Sequence, residues 1–113
     1  MDIEHKNRIN ALFAFYGELL AKKQQAYLRY YYEDDFSIIE IAEEEQVSRQ
    51  AVSDNLKKGC EALEHYEKVL ALYTESMHRQ SLEENLLTYV TAHYQDDHHL
   101  KELIDQMVNQ EIN

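Results

Sequence analysis

The run SRQAVSDNLKK, residues 48 to 58, gathers two hydroxyls, two amides, a carboxylate and three cations into a short stretch. Arginine and lysine neutralise phosphates, while a glutamine amide carries the donor and acceptor pair that reads an adenine edge. Ser48, Arg49, Gln50, Ser53, Asp54, Lys57 and Lys58 are therefore the candidate DNA-contacting residues. Asp54 is the awkward member, since a carboxylate repels phosphate and accepts only from groups such as a cytosine amine. The same cations would equally form a solvated helix face, with Lys57 paired to Glu61 four residues later.

Other reactive side chains lack partners at useful spacing. His93, His98 and His99 lie near Asp96 and Asp97, yet no two of these histidines stand four residues apart, and thiolate support is missing. Cys60, the sole cysteine, has no histidine or asparagine in a recognisable nucleophile motif and reads as a small core residue. Tyr30, Tyr31 and Tyr32 could stack on unpaired bases, but three consecutive rings on a helix cannot face one way, so core packing is expected. No glycine-rich phosphate loop, serine elbow or catalytic carboxylate pair stands out. The expectation is a protein without catalytic residues, cofactor or metal.

The elements that must position the 48 to 58 run are legible in the apolar spacing. Ile9, Leu12, Phe13, Tyr16, Leu19 and Leu20 recur in steps of three and four, predicting a first helix from about Ile3 to Leu20. A second runs from Lys22 to Tyr32, with Ala26, Tyr27, Tyr30 and Tyr31 inward. Ser37-Ile38-Ile39-Glu40 has the form of a capping box, so a short third helix starts there and stops near Glu45-Gln46. Ala42 is small where it meets its successor. Ser48 is an N-cap candidate for a fourth helix that continues well past residue 70, about thirty residues and roughly 45 Å. Leu56, Gly59, Leu63, Tyr66, Leu70, Tyr73 and Met77 form a heptad-like seam along it, available to the chain's own helices or to a second copy. A projecting helix of that length favours a homodimer, which also suits two-fold DNA sites. A fifth helix near Leu82 to Tyr94 and a sixth through Leu100, Leu103, Ile104, Met107 and Val108 complete an all-α chain.

A length of 113 residues with no proline and two glycines fits one helical domain, 1 to 113, with a helix-turn-helix at about 37 to 63 and an acidic tail at about 64 to 113. The lone cysteine, an N-terminus without a signal pattern and the lack of a long apolar stretch point to a cytoplasmic protein and away from membranes. The formal charge of −11 opposes bulk electrostatic binding to nucleic acid. The excess is uneven, however: residues 59 to 113 hold three basic and eleven acidic side chains, and residues 22 to 58 hold six and eight. A local contact through the basic run survives that division.

The segment EIAEEEQVSRQAVSDNLKK, preceded by LLAKKQQAYLRYYYEDDFS, resembles region four of sigma factors, and its SRQAVSDN core is similar to the YlxM family of helix-turn-helix proteins. The likeness covers about Asn10 to Leu72, and the acidic helical tail is also family-like. It departs from the sigma pattern at Gln46, where glycine is common, and at Glu45, where an apolar residue is common. The resemblance implies a small, all-helical bacterial protein with a sigma-region-four-like helix-turn-helix bundle. It also implies a regulatory role in the signal recognition particle pathway and no enzymatic activity. Two functions follow as expectations: a DNA-binding regulator, or a protein-interaction module that modulates the particle's GTPase or RNA complex without reading DNA.

Overall fold

The computed structural model describes residues 2 to 110, and among these every regular element is helical. The helices are α1 (Ile3–Tyr16), α2 (Lys22–Leu28), α3 (Ile38–Glu45), α4 (Arg49–Leu70), α5 (Leu72–His93) and α6 (His98–Gln110). The chain divides into two compact units, the first ending at Tyr73 and the second beginning at Thr74.

In the first unit α4 is the central element, packed by α1, α2 and α3. Its core joins Ile9, Leu12 and Tyr16 of α1 and Tyr27 and Leu28 of α2 to Ile41 and Ala42 of α3. Val52, Leu56 and Leu63 of α4 close it. Gly59 lies where α2 crosses α4: a Cβ there would stand 3.0 Å from Leu28 Cδ1, so the close approach needs glycine. Arg8 grips Glu64 through two hydrogen bonds of 2.5 and 3.0 Å, a half-exposed link between α1 and α4.

The first helix stops four residues earlier than its apolar spacing predicts, and a 3-10 turn spans Gly17–Leu19. The second does reach the predicted region, but Arg29–Glu33 winds as a π-helical turn, with Asp34 N–H donating to Arg29 O at 2.9 Å. That wider turn lets Tyr32 go inside, half-buries Tyr30 and Tyr31 against the core, and stacks Tyr30 on Phe36. Asn10 Nδ2 donates to Tyr32 O at 3.0 Å, and Lys6 pairs with Asp35, so α1 braces the turn.

The expected thirty-residue fourth helix is corrected by the structure. It ends at Leu70 because Ala71 adopts the left-handed conformation, φ 55° and ψ 27°, with its N–H returning to Glu67 O at 2.8 Å. Alanine in that region carries a cost of about 1 to 2 kcal/mol, so tertiary contacts must offset it. The contacts are polar. Glu67 is buried and Tyr16 Oη donates to its Oε1 at 2.6 Å, while Leu72 N–H donates to Tyr16 Oη at 3.0 Å. Tyr73 N–H donates to the same Glu67 oxygen at 3.1 Å. Side chains from α1 and α4 thus cap the first two free amides of α5, which begins ten residues before the predicted Leu82. The proposed seam is broken too: Leu56, Gly59 and Leu63 are spent on the unit's own core, Leu70 is exposed, and Tyr73 and Met77 belong to the next helix.

In the second unit, α5 continues to His93 and α6 follows the turn at 94 to 97. Asp97 caps α6 by accepting from Leu100 N–H at 3.0 Å. Val90 and Ile104 are its buried apolar residues.

Candidate nucleic-acid interface

The helix-turn-helix is assembled from local signals. Ser37 accepts from Glu40 N–H at 3.1 Å and Glu40 Oε1 accepts from Ser37 N–H at 3.1 Å, completing the capping box of α3. Ile41 and Ala42 then face inward. The helix closes in a Schellman arrangement: Gln46, at φ 55° and ψ 47°, sends its N–H to Glu43 O, and Val47 N–H reaches Ala42 O at 3.0 Å. Gln46 therefore takes the left-handed turn without glycine, at some cost. Glu45 is half-buried and pairs with the Tyr30 hydroxyl, which burial first and this carboxylate second push above its usual range.

Ser48 begins the second helix by accepting from Ala51 N–H at 3.0 Å. Its hydroxyl is thus committed to the cap, and its role is to aim α4. With Val52 and Leu56 buried, the remaining candidates all face solvent: Arg49, Gln50, Ser53, Asp54, Lys57 and Lys58. They form two stripes at four-residue steps. Arg49, Ser53 and Lys57 make one, a cation, a hydroxyl and a cation spread over roughly 12 Å of helix axis. Gln50, Asp54 and Lys58 make the other. Here Gln50 Nε2 donates to Asp54 Oδ1 at 2.9 Å, so the amide singled out as a base reader is already engaged within its own helix.

Among the described residues, none of Arg49, Lys57 and Lys58 enters an ion pair, and the Lys57 to Glu61 pairing is not formed. Arg49 borders a shallow depression with Ile39, Val47 and Glu43, which brings one acid close to the basic stripe. Ser53 and Lys57 border a groove of about 310 Å³ that also touches His5, Tyr31, Ile38 and Cys60. His5 and Tyr31 come from elements far away in the chain, and no spacing in the sequence connects them to this surface.

At the floor of that groove Cys60 Sγ donates to Tyr32 Oη at 3.3 Å, and Tyr32 Oη lies 3.2 Å from His5 Nε2. Burial raises the Cys60 thiol above its ordinary value, and burial followed by the thiol raises the Tyr32 hydroxyl. Both groups are held protonated, the opposite of what a nucleophile needs. Among the described residues no three histidine, cysteine or carboxylate side chains converge as metal ligands would, and no helix is long and apolar enough to cross a membrane.

Comparison with known proteins agrees with this architecture. A family model described as "Putative helix-turn-helix protein, YlxM / p13 like" matches residues 3 to 103. A UPF0122 protein of Limosilactobacillus fermentum is 50% identical over 98% of both chains. One from Lacticaseibacillus casei is 46% identical over 97% of both, and one from Pediococcus pentosaceus is 43% identical over 98% of both. With the capped α3, the left-handed turn and the capped α4 all present, the chain belongs to the YlxM and p13-like UPF0122 family of helix-turn-helix proteins.

Proposed function

We propose that the protein is a non-catalytic regulator that binds duplex DNA through α4. The observation that carries this reading is the stripe of Arg49, Ser53 and Lys57, exposed and, among the described residues, free of ion pairs in a chain of net charge −11. Of the four cations on α4, three, Arg49, Lys57 and Lys58, lie within its first ten residues, behind a serine cap, while Lys68 stands apart in the last turn. In this reading Arg49 and Lys57 meet phosphates on either side of a groove about 12 Å wide, and Lys58 adds a third backbone contact. Ser53 reaches the base edges, and Gln50 reads a base after releasing Asp54. Following the YlxM resemblance, we assign the regulation to the signal recognition particle pathway of the bacterial cytoplasm.

The test is fluorescence anisotropy with genomic duplex fragments across a salt series. Three phosphate contacts give a slope of about −2.7 in log affinity against log salt, so raising NaCl from 50 to 200 mM weakens binding about 40-fold. Arg49→Glu with Lys57→Glu abolishes it. Salt-independent binding, or none to any fragment, defeats the proposal.

A second reading is a protein-interaction module that acts on the particle's GTPase or its RNA-bound form. The engagement of Gln50 by Asp54 and the proximity of Glu43 to Arg49 favour it, since the first occupies the base-reading amide and the Asp54 and Glu43 carboxylates lower the positive potential of α4. It requires a concentration-dependent effect on the GTPase rate that survives the two charge reversals. An unchanged rate at saturating protein removes it.

A further inference from the structure

The unit that begins at Thr74 is poorly supplied with interior. Among its described residues only Val90 and Ile104 are buried apolar side chains, although two helices run through it. A helical segment of about forty residues with so small a core does not hold its helices alone, and such segments are usually stabilised by association. The missing apolar surface is present on the outside. Leu82, Leu86 and Tyr89 follow one another at steps of four and three on α5, and Leu103 and Met107 stand one turn apart on α6. They are 54%, 39%, 55%, 50% and 49% exposed. On each helix this stripe lies beside the buried one, so the apolar arc is wider than the contacts within the unit consume.

We infer that this α5 and α6 face is a homodimer interface, on which two copies complete a four-helix bundle. The area decides for a second copy. The five side chains expose on the order of 80 Å² apiece, hence about 800 Å² of apolar surface across two copies. With the usual apolar share of an interface, the total is about 1,300 Å², inside the range of stable specific complexes. A heptad-like stripe is also self-complementary, as a two-fold interface must be. The seam lies on α5 and α6, because Leu56, Gly59 and Leu63, the α4 residues expected to begin it, are buried in the first unit. The inference does not depend on DNA binding by α4.

Charge gives this dimer a signature. From residue 74 onward each copy carries two basic and eight acidic side chains. Two such surfaces repel, so screening strengthens the dimer, whereas a basic protein partner on the same face would bind more weakly in salt. The experiment is sedimentation velocity of the full chain from 1 to 100 μM at 50 and 500 mM NaCl. The expected result is a concentration-dependent dimer, about five-fold tighter at the higher salt, that Leu86→Glu with Met107→Glu turns into monomer with helical content retained. Because those variants could melt the tail, oxidation of Leu86→Cys in a Cys60→Ser background provides a second measurement. It should give a disulfide-linked dimer, and Thr91→Cys on the far side of α5 should not. A monomer at 100 μM in both salts, a dimer indifferent to the two glutamates, or equal cross-linking from position 91 overturns the inference.

Discussion

Tyr16→Phe removes one oxygen and leaves the ring, so it isolates the polar latch at the α4 to α5 junction. That oxygen donates to Glu67 at 2.6 Å and accepts the Leu72 amide at 3.0 Å in a site where Tyr16 is 1% exposed. A hydrogen bond to a carboxylate that short contributes about 1.5 to 3 kcal/mol, and an amide left partly unsatisfied adds up to about 1 kcal/mol. The expected loss is thus about 2 to 4 kcal/mol, a large part of a total that for ordinary domains is roughly 5 to 15 kcal/mol. Urea unfolding followed by circular dichroism measures it as a lower midpoint at an unchanged slope. Glu67→Gln keeps an acceptor oxygen for Tyr16 and for the Tyr73 amide, so it should cost less, and the double variant should show coupling above about 1 kcal/mol. Arg8→Ala, which breaks a half-exposed ion pair, should stay within about 1 kcal/mol. A loss below about 0.5 kcal/mol for Tyr16→Phe, or one no larger than that of Arg8→Ala, would refute the latch.

Ala71→Gly relieves a left-handed alanine and should raise stability by about 0.5 to 1 kcal/mol in the same assay; a loss would show that the methyl group packs usefully. Gly59→Val forces a branched side chain against Leu28 and should cost about 2 to 3 kcal/mol, checked by thermal unfolding. Because burial raises the Tyr16 and Tyr32 hydroxyls, the folded state holds those protons more tightly than the unfolded chain. Their contribution is complete below about pH 10, the ordinary tyrosine value, and is lost as pH climbs towards the folded values. Melting temperatures between pH 8 and 11.5 should therefore fall more steeply than in Tyr16→Phe with Tyr32→Phe. The raised Cys60 thiol should react with a disulfide reagent at pH 8 at least about ten-fold more slowly than free cysteine, and a rate equal to free cysteine would contradict its burial.

What could be read in advance was local. Ser37 with Glu40, and Ser48 ahead of Ala51, announce helix starts through side chains three residues from the amides they satisfy, so no knowledge of the fold is needed. Residues 48 to 58 were likewise identifiable as an exposed charged face, because Val52 and Leu56 mark the buried side at helical spacing. What could not be read depends on distant residues. Ala71, a strong helix former by itself, breaks the helix because Tyr16 caps the Leu72 amide from 56 positions away and holds Glu67, 51 positions from it, where it can cap Tyr73. Glu67 gives no hint of burial among the surface glutamates that surround it. The inward turn of Tyr32 required the π-helical winding, which has no compositional mark. The bond between Gln50 and Asp54 lies between these cases: the four-residue spacing permits it, but only the rotamers decide.

The Tyr16 latch also bears on the order of events as the chain folds. Its hydrogen bonds close loops of 51 and 56 residues, whereas the caps at Ser37 and Ser48 each span three. Long closures lose more chain entropy and are rewarded only once α1 and α4 are already packed, so the latch belongs on the native side of the folding barrier. Losing it should leave the refolding rate nearly unchanged and accelerate unfolding, giving Tyr16 the character of a kinetic lock on a bundle that has already formed.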